Sequence, residues 1–211
     1  MWPILRLRRR ALSHRDRLMH LKRIGIFGGT FDPFHLGHFL VARAAIEEAN
    51  LERLFLVPAA RSPFKPEGKS TDDSRRLKWL RLALQGETNC SVDTQELKRG
   101  GVSFAIDTVT AYHDAFPQAQ LFYLIGADHV PTLYQWREAS QLARLVTFLI
   151  VPRPGQQPTA LKEPFLGQFL KGFPLGVSSS IIRDRIRRGF PISGLVHPKV
   201  EEDIVNCPIS G

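Results

Sequence analysis

The chain has 211 residues, of which 43% are hydrophobic, and it carries a formal net charge of +9 with two cysteines. This length suits one well-buried domain, and the apolar run at residues 145–151 is far shorter than the roughly 18 residues of a membrane span. The composition therefore argues against a membrane protein. The cysteines show no CxxC spacing, which predicts a reducing, cytoplasmic location.

The positive charge is concentrated at the amino terminus. Residues 1–23 hold eight lysines or arginines and one aspartate, so they carry +7 and leave +2 for the rest of the chain. A nearly neutral body lacks the basic face of a DNA-binding protein, and we predict no nucleic-acid partner. We interpret residues 1–18 as an over-long gene start or a disordered basic arm, with an arginine-rich transit peptide as the alternative. Residues 19–211 are predicted to form a single domain.

The first predicted strand and helix are joined by a turn rich in glycine and histidine. Residues 24–27 are an apolar run typical of a buried strand, and residues 39–46 have helical spacing. The turn between them reads Gly28-Gly29-Thr30-Phe31-Asp32-Pro33-Phe34-His35-Leu36-Gly37-His38. In an open α/β sheet such a turn lies at the carboxyl end of the strand, where ligands bind and the first helical N–H groups face the crevice.

This turn predicts a phosphate site. Paired glycines let a ligand approach the backbone, and His35 and His38, three residues apart, share one helix face from which each can donate a hydrogen bond to a phosphate. A metal site is the alternative for two such histidines. Zinc sites usually need three or four ligands, however, and no cysteine lies near.

Strands and helices alternate along the rest of the chain. The further predicted elements are a strand at 53–58, a helix after Asp72-Asp73, a short strand at 90–93, a helix at 105–116, a strand at 121–126, a helix around 133–143, a strand at 146–151 and a last long helix after 177. Residues 155–176 are the least regular stretch. This alternation predicts an α/β fold with a doubly wound parallel sheet.

Polar residues also open the last long predicted helix. Ser178, Ser179 and Ser180 are followed by Arg183, so hydroxyls, free N–H groups and a guanidinium converge on one helix end. Serines at a helix start are otherwise ordinary caps. At the end of the strand at 121–126, Gly126-Ala127-Asp128 occupies another position where ligands bind in such sheets.

The turn at 28–38 resembles the GxFDPxHxGH signature of the nucleotidylyltransferase superfamily, in the version typical of nicotinate mononucleotide adenylyltransferases. The resemblance implies a Rossmann-like nucleotidylyltransferase fold. It also implies adenylyl transfer from ATP to nicotinate mononucleotide, which gives deamido-NAD and pyrophosphate in NAD biosynthesis. Mg²⁺ is then expected, held mainly by the ATP phosphates and water.

Three later segments are similar to further motifs of that family. Residues 177–183 resemble ISSTxIR, which holds the ATP phosphates, with Ser180 at the threonine position. Residues 126–128 resemble GAD, and residues 153–155 match RPG, which lies near the adenylate. The ATP-binding residues implied by the resemblance are Gly28, Gly29, Thr30, Phe31, His35, His38, Gly126, Asp128, Arg153, Ser178, Ser179, Ser180 and Arg183.

The mononucleotide site is implied by three weaker matches. Trp136 stands where the family's LxxW tryptophan stacks on the pyridine ring. Residues 99–108 are similar to RxGxSYTxDT, with Phe104 for tyrosine and Ala105 for threonine, which leaves backbone N–H groups to hold the carboxylate. Residues 62–65 resemble PPHK, with phenylalanine for histidine and Lys65 retained. The implied mononucleotide-binding residues are Lys65, Phe104, Ala105, Asp128 and Trp136.

None of these positions supplies a covalent nucleophile, and the implied chemistry needs none, because the mononucleotide phosphate can attack the α-phosphorus of ATP directly. The catalytic candidates are His35, His38, Lys65 and Arg183. The absence of GxxxxGK[ST] excludes a P-loop enzyme. The alternatives are an adenylyltransferase for nicotinamide mononucleotide or phosphopantetheine, a cytidylyltransferase, a non-catalytic nucleotide sensor and an RNA-binding role of the leader. The oligomeric state is not predicted, and a homo-oligomer is one possibility.

Overall fold

The computed structural model describes residues 21–64, 70–152, 155, 159–172 and 175–207. The predicted leader at residues 1–18 lies outside the described residues, and its assignment stays a prediction. The described part contains six strands, seven α-helices and one 3₁₀ helix. In chain order these are β1 (Arg23–Gly29), α1 (Leu36–Glu48), β2 (Arg53–Pro58), α2 (Asp73–Ala83), β3 (Cys90–Val92), α3 (Gln95–Arg99), α4 (Ala105–Ala115), β4 (Gln120–Gly126), the 3₁₀ helix (Ala127–Gln135), α5 (Ala139–Leu145), β5 (Val146–Val151), β6 (Gly167–Phe169), α6 (Ser179–Arg187) and α7 (Pro198–Asn206).

All six strands form one parallel sheet in the order β3-β2-β1-β4-β5-β6. Side chains alternate across the sheet, as the period of a strand requires. In β4, Phe122 and Leu124 join the core under α1, α2, α6 and α7, whereas Leu121 and Tyr123 join the core under α4, the 3₁₀ helix and α5. Both faces are therefore covered, and the predicted doubly wound parallel sheet is confirmed.

The strand order reverses between β1 and β4, which opens a crevice there. The register of these two strands runs from Arg23 opposite Gln120 to Ile26 opposite Tyr123. Both strands continue three residues further, β1 to Gly29 and β4 to Gly126, while pairing with β2 and β5 on their outer sides. The diverging ends leave room for a ligand between the two strands.

The prediction of one continuous helix around 133–143 is wrong, because two separate helices cover this stretch. A 3₁₀ helix ends at Gln135, Trp136 is extended, Glu138 has a φ of 52°, and α5 begins only at Ala139. The Trp136 ring packs edge-on against Tyr123, with ring centroids 6.2 Å apart. The helix is therefore interrupted where this ring packs, although the spacing of apolar residues is helical.

Three elements were not predicted: α3, β6 within the stretch interpreted as irregular, and α7. Helix α7 is held by a carboxylate. Asp203 accepts hydrogen bonds from Trp79 Nε1 at 2.7 Å, from Arg75 Nε at 3.1 Å and from Lys78. This cluster joins the last helix to α2. None of the helices in the described part of the chain combines the length and hydropathy needed to cross a bilayer.

Candidate active site

The two histidines of the turn cap the start of α1. His35 is the N-cap, and its Nδ1 accepts a hydrogen bond from the backbone N–H of His38 at 3.3 Å; Nδ1 of His38 accepts reciprocally from the N–H of His35 at 3.3 Å. The rings are stacked with centroids 3.7 Å apart. Because Nδ1 is the acceptor in both neutral rings, the proton of each lies on Nε2. Each ring is thereby prepared to donate from Nε2.

Burial lowers the pKa of His35 from its ordinary value of 6.5 to about 4, although a hydrogen bond with its own backbone opposes the change. His35 is 6% exposed and is therefore neutral near pH 7. As a neutral imidazole it can donate a hydrogen bond without carrying a charge.

The lowered pKa predicts a pH-dependent stability. Between pH 6.5 and about 4 the unfolded chain takes up a proton at this position that the folded chain does not, so stability is lost as the pH falls. Asparagine keeps a capping acceptor but does not titrate, so we expect wild type to lose about 2 kcal/mol more than His35→Asn between pH 7 and 5. Urea unfolding at both pH values measures this difference, and equal losses would show that His35 protonates in the folded state.

An aromatic cluster fixes the His38 ring. Phe34 stacks on it with centroids 5.3 Å apart, and Phe31 meets it edge-on at 5.1 Å. Phe31 is 1% exposed and has a φ of 48°, an unusual value for a residue with a Cβ, which its packing maintains. The side chain of Phe31 thus supports the turn from behind and does not line the crevice.

The start of α6 packs against the start of α1. A Cβ on Gly37 would lie 2.9 Å from Val177 Cγ1, so glycine permits this approach. Ser179 Oγ donates to the carbonyl of Pro33 at 3.0 Å, and Arg183 Nη1 donates to the carbonyl of Asp32 at 2.6 Å. Two helix N-termini, each with partial positive charge, therefore meet at one place.

This meeting point borders a cavity of about 690 Å³. Its described wall includes His35, His38, Gly126, Asp128, Ser178, Ser179 and Ser180. The cavity brings together groups that were predicted from distant parts of the sequence. These are both imidazoles, the serines of α6 and the carboxyl end of β4. Polar donors and helix N-termini of this kind suit a polyphosphate.

A second, smaller cavity of about 340 Å³ lies on the other side of the crevice. Gly28, Gly29 and Thr30 line it, as do Phe104, Ala105 and Trp136. The Trp136 ring lies 5.3 Å from Phe64 and 5.7 Å from His129, between centroids. This aromatic wall suits a flat ring.

The two cavities share part of their walls: Phe27, Ile125, Gly126 and His129 border both. They meet at the diverging ends of β1 and β4. Two ligands bound side by side would have their ends adjacent at this junction, which is the arrangement that a transfer reaction between them needs.

Two predicted site residues lie away from both cavities, and two more fall outside the described residues. Phe31 and Arg183 are not among the residues lining either cavity, and Arg183 instead binds Asp32 and Ser180. Lys65 and Arg153 lie outside the described residues. The assignments of all four to ligands stay predictions.

Arg76, which was not predicted from the sequence, is completely buried. It donates to the carbonyls of Thr30 at 2.5 Å, Ala59 at 2.8 Å and Thr71 at 3.1 Å, and pairs with Asp73. It thus ties the turn after β1 to the segment after β2. Nothing in the sequence indicates that Arg76 is buried, because a charged residue on a helix is usually exposed.

His129 and Arg137 were also missed, since neither belongs to a recognised motif. His129 stands at the junction of the cavities, and Arg137 lines the smaller one. As to metal ligands, the described residues contain no group of three or more His, Cys, Asp or Glu side chains placed to share an ion. Asp128 supplies a carboxylate on the wall of the larger cavity.

Comparison with known proteins identifies relatives of this chain. The model of the family described as cytidylyltransferase-like matches residues 26–185. A "nicotinate-nucleotide adenylyltransferase" of Bacillus subtilis is 35% identical over 182 residues, which cover 86% of this chain and 95% of that protein. A "probable nicotinate-nucleotide adenylyltransferase" of Shouchella clausii is 40% identical over 182 residues, or 86% of this chain and 93% of that protein.

A solved structure shares the fold. The nicotinic acid mononucleotide adenylyltransferase of Plasmodium falciparum, complexed with NaAD, superposes with a TM-score of 0.69 at 18% identity. The match covers 88% of this chain and 95% of that one. At this identity the likeness supports the fold alone.

Proposed function

The chain belongs to the cytidylyltransferase-like family and, within it, to the nicotinate-nucleotide adenylyltransferases, and we propose that it transfers the adenylyl group of ATP to nicotinate mononucleotide. The products are deamido-NAD and pyrophosphate. The reaction is a step in NAD biosynthesis.

One observation carries this proposal: two cavities of different character meet at the reversal of strand order. The larger cavity, with the stacked histidines and the serines of α6, would hold the ATP phosphates. The smaller one, with Trp136 on its wall, would hold the pyridine mononucleotide. The phosphate of the mononucleotide would then lie next to the α-phosphate of ATP.

The chemistry is a displacement at phosphorus. An oxygen of the mononucleotide phosphate attacks the α-phosphorus, a new P–O bond forms, and the bond from the α-phosphorus to the bridging oxygen breaks as pyrophosphate leaves. No covalent intermediate with the protein is needed. Catalysis therefore depends on positioning the two substrates and stabilising the negative charge on the phosphates.

His35 and His38 are the donors for that charge. Their Nε2–H groups, oriented by the reciprocal bonds at Nδ1, would bind the α- and β-phosphate oxygens. The α6 start would add its first N–H groups and the hydroxyls of Ser178 and Ser180, whose oxygens accept hydrogen bonds within the protein. Ser179, which donates to the carbonyl of Pro33, would hold the helix start in place. Arg183 would contribute by holding the two helix starts together through Asp32, and Lys65 by neutralising a phosphate.

Mg²⁺ would enter with ATP as part of the substrate complex, held mainly by phosphate oxygens and water. Asp128, on the wall of the larger cavity, would bind a water of the hydrated ion. A cytoplasmic location is part of the proposal, supported by Cys90 and Cys207, both free thiols. A homo-oligomer remains one possibility, and the absence of a nucleic-acid partner remains a prediction.

Pyrophosphate release with ATP and each of three acceptors tests the substrate. We expect kcat/KM for nicotinate mononucleotide to exceed that for nicotinamide mononucleotide more than about tenfold, since the start of α4, with no side-chain cap at Phe104, favours a carboxylate over a carboxamide. Phosphopantetheine should be inactive. Preference for either of the other acceptors would identify the alternative functions.

Trp136→Ala is the second arm of this experiment. It should raise KM for the mononucleotide by about tenfold, because it removes a ring face worth about 0.5–1.5 kcal/mol together with its buried apolar area. KM for ATP should stay within about twofold. The matched control is Tyr134→Ala, an aromatic residue two positions away that is 68% exposed. Equal effects of both variants would exclude stacking on Trp136.

A further inference from the structure

The strongest unassigned feature of the smaller cavity is a cation on its wall. Of the described residues that line this cavity, Arg137 alone is a lysine or arginine. It directly follows Trp136 in the chain. A guanidinium stays charged at any pH of interest and binds carboxylates through two parallel hydrogen bonds.

Contacts fix where this cation lies. The guanidinium carbon of Arg137 is 4.8 Å from the centroid of the Phe104 ring, within the range of a cation–π interaction. Phe104 is the N-cap residue of α4, so the cation lies beside the helix N-terminus. The charge of Arg137 and the partial charge of that terminus have the same sign, and a bound anion would relieve their repulsion.

The opposite charge in the cavity comes from Glu96. This carboxylate is 3% exposed and accepts a hydrogen bond from Thr108 Oγ1 at 2.6 Å. Thr108 stands in the first turn of α4, so Glu96 lies near the start of that helix. There it opposes an acidic ligand, and the positive charge of Arg137 is what favours the carboxylate of a pyridine ring stacked against Trp136.

We propose that Arg137 is the residue that selects the acid over the amide, by pairing its guanidinium with the carboxylate of the pyridine ring. This inference rests on the proposed function, because it assumes that the pyridine mononucleotide occupies the smaller cavity. Phe104 and Ala105 lack hydroxyls and therefore offer no side-chain hydrogen-bond donor to the carboxylate. The side chain of Arg137 supplies such a donor. A neutral carboxamide gains no ion pair at this position and should be nearly indifferent to Arg137.

The test compares Arg137→Gln with Arg144→Gln, an exposed arginine on α5 that lines neither cavity. In Arg137→Gln, kcat/KM for nicotinate mononucleotide should fall at least about tenfold, the worth of a charged hydrogen bond. The value for nicotinamide mononucleotide, and KM for ATP, should change less than about threefold. Arg144→Gln should resemble wild type with both acceptors.

An unchanged ratio between the two acceptors in Arg137→Gln would overturn the proposal, and so would an equal fall for both, which is the mark of a structural role. Calorimetric binding of each mononucleotide, measured without ATP, gives the same comparison independently of turnover. If wild type formed no dinucleotide from either acceptor, the proposed function would fail. The calorimetric ratio would still decide the role of Arg137.

Discussion

Replacing His38 with asparagine is expected to lower kcat for adenylyl transfer by at least about 100-fold and to leave the fold intact. The asparagine Oδ1 lies where Nδ1 of the imidazole lies, so it can still accept from the N–H of His35 and preserve the cap. What it removes is the donor at Nε2. The loss therefore measures that donor alone.

Glutamine provides the complementary variant. Its amide nitrogen reaches the position of Nε2 but leaves the N–H of His35 without its partner. We expect His38→Gln to retain at least about tenfold more activity than His38→Asn, and to lose up to about 1 kcal/mol of stability with the cap. Steady-state kinetics and urea unfolding measure the two effects separately. An asparagine variant with near wild-type turnover would show that the Nε2 donor plays no part in catalysis.

Arg76→Met should give the largest loss of stability. The variant leaves the carbonyls of Thr30, Ala59 and Thr71 without their donor, at about 1–3 kcal/mol for each buried group. We expect the free energy of unfolding to fall by about 3 kcal/mol or more. Since two of these carbonyls belong to the segments after β1 and β2, KM for both substrates should rise in the fraction that folds.

Arg81→Met is the matched control, because Arg81 is an exposed arginine on the same helix, α2. It should change stability by no more than about 0.5 kcal/mol. Urea unfolding of both variants at pH 7 makes the comparison. Equal stabilities would mean that the buried guanidinium contributes nothing to holding the turn after β1.

The parallel sheet could be predicted because its strands are short apolar runs separated by helical spacing. The predicted strands at 53–58, 121–126 and 146–151 agree with the observed bounds to within one residue for this reason. Strand β6 could not be recognised, since its three residues, Gly-Gln-Phe, carry no alternating apolar pattern. The break after Gln135 was missed because it accompanies the packing of Trp136 on Tyr123, which local spacing does not encode.

The site divides in the same way. His35, His38 and the serines of α6 could be found because they stand where strands end and helices begin, and the structure brings them to one cavity. Arg76, His129 and Arg137 make their contacts across the fold, so no local pattern marks them. Helix α7 does carry a local signal, because His197 precedes a proline at the first helical position.

Isotopic labelling of ATP identifies the group that this chain transfers. ATP labelled either at the α-phosphate or at the γ-phosphate is incubated with nicotinate mononucleotide and the full chain. Adenylyl transfer places the α label in a dinucleotide and the γ label in pyrophosphate, and this is the result that we expect. A γ label found on the mononucleotide would reveal phosphoryl transfer, and no transfer of the α label would exclude adenylyl transfer; either result would overturn the proposed function.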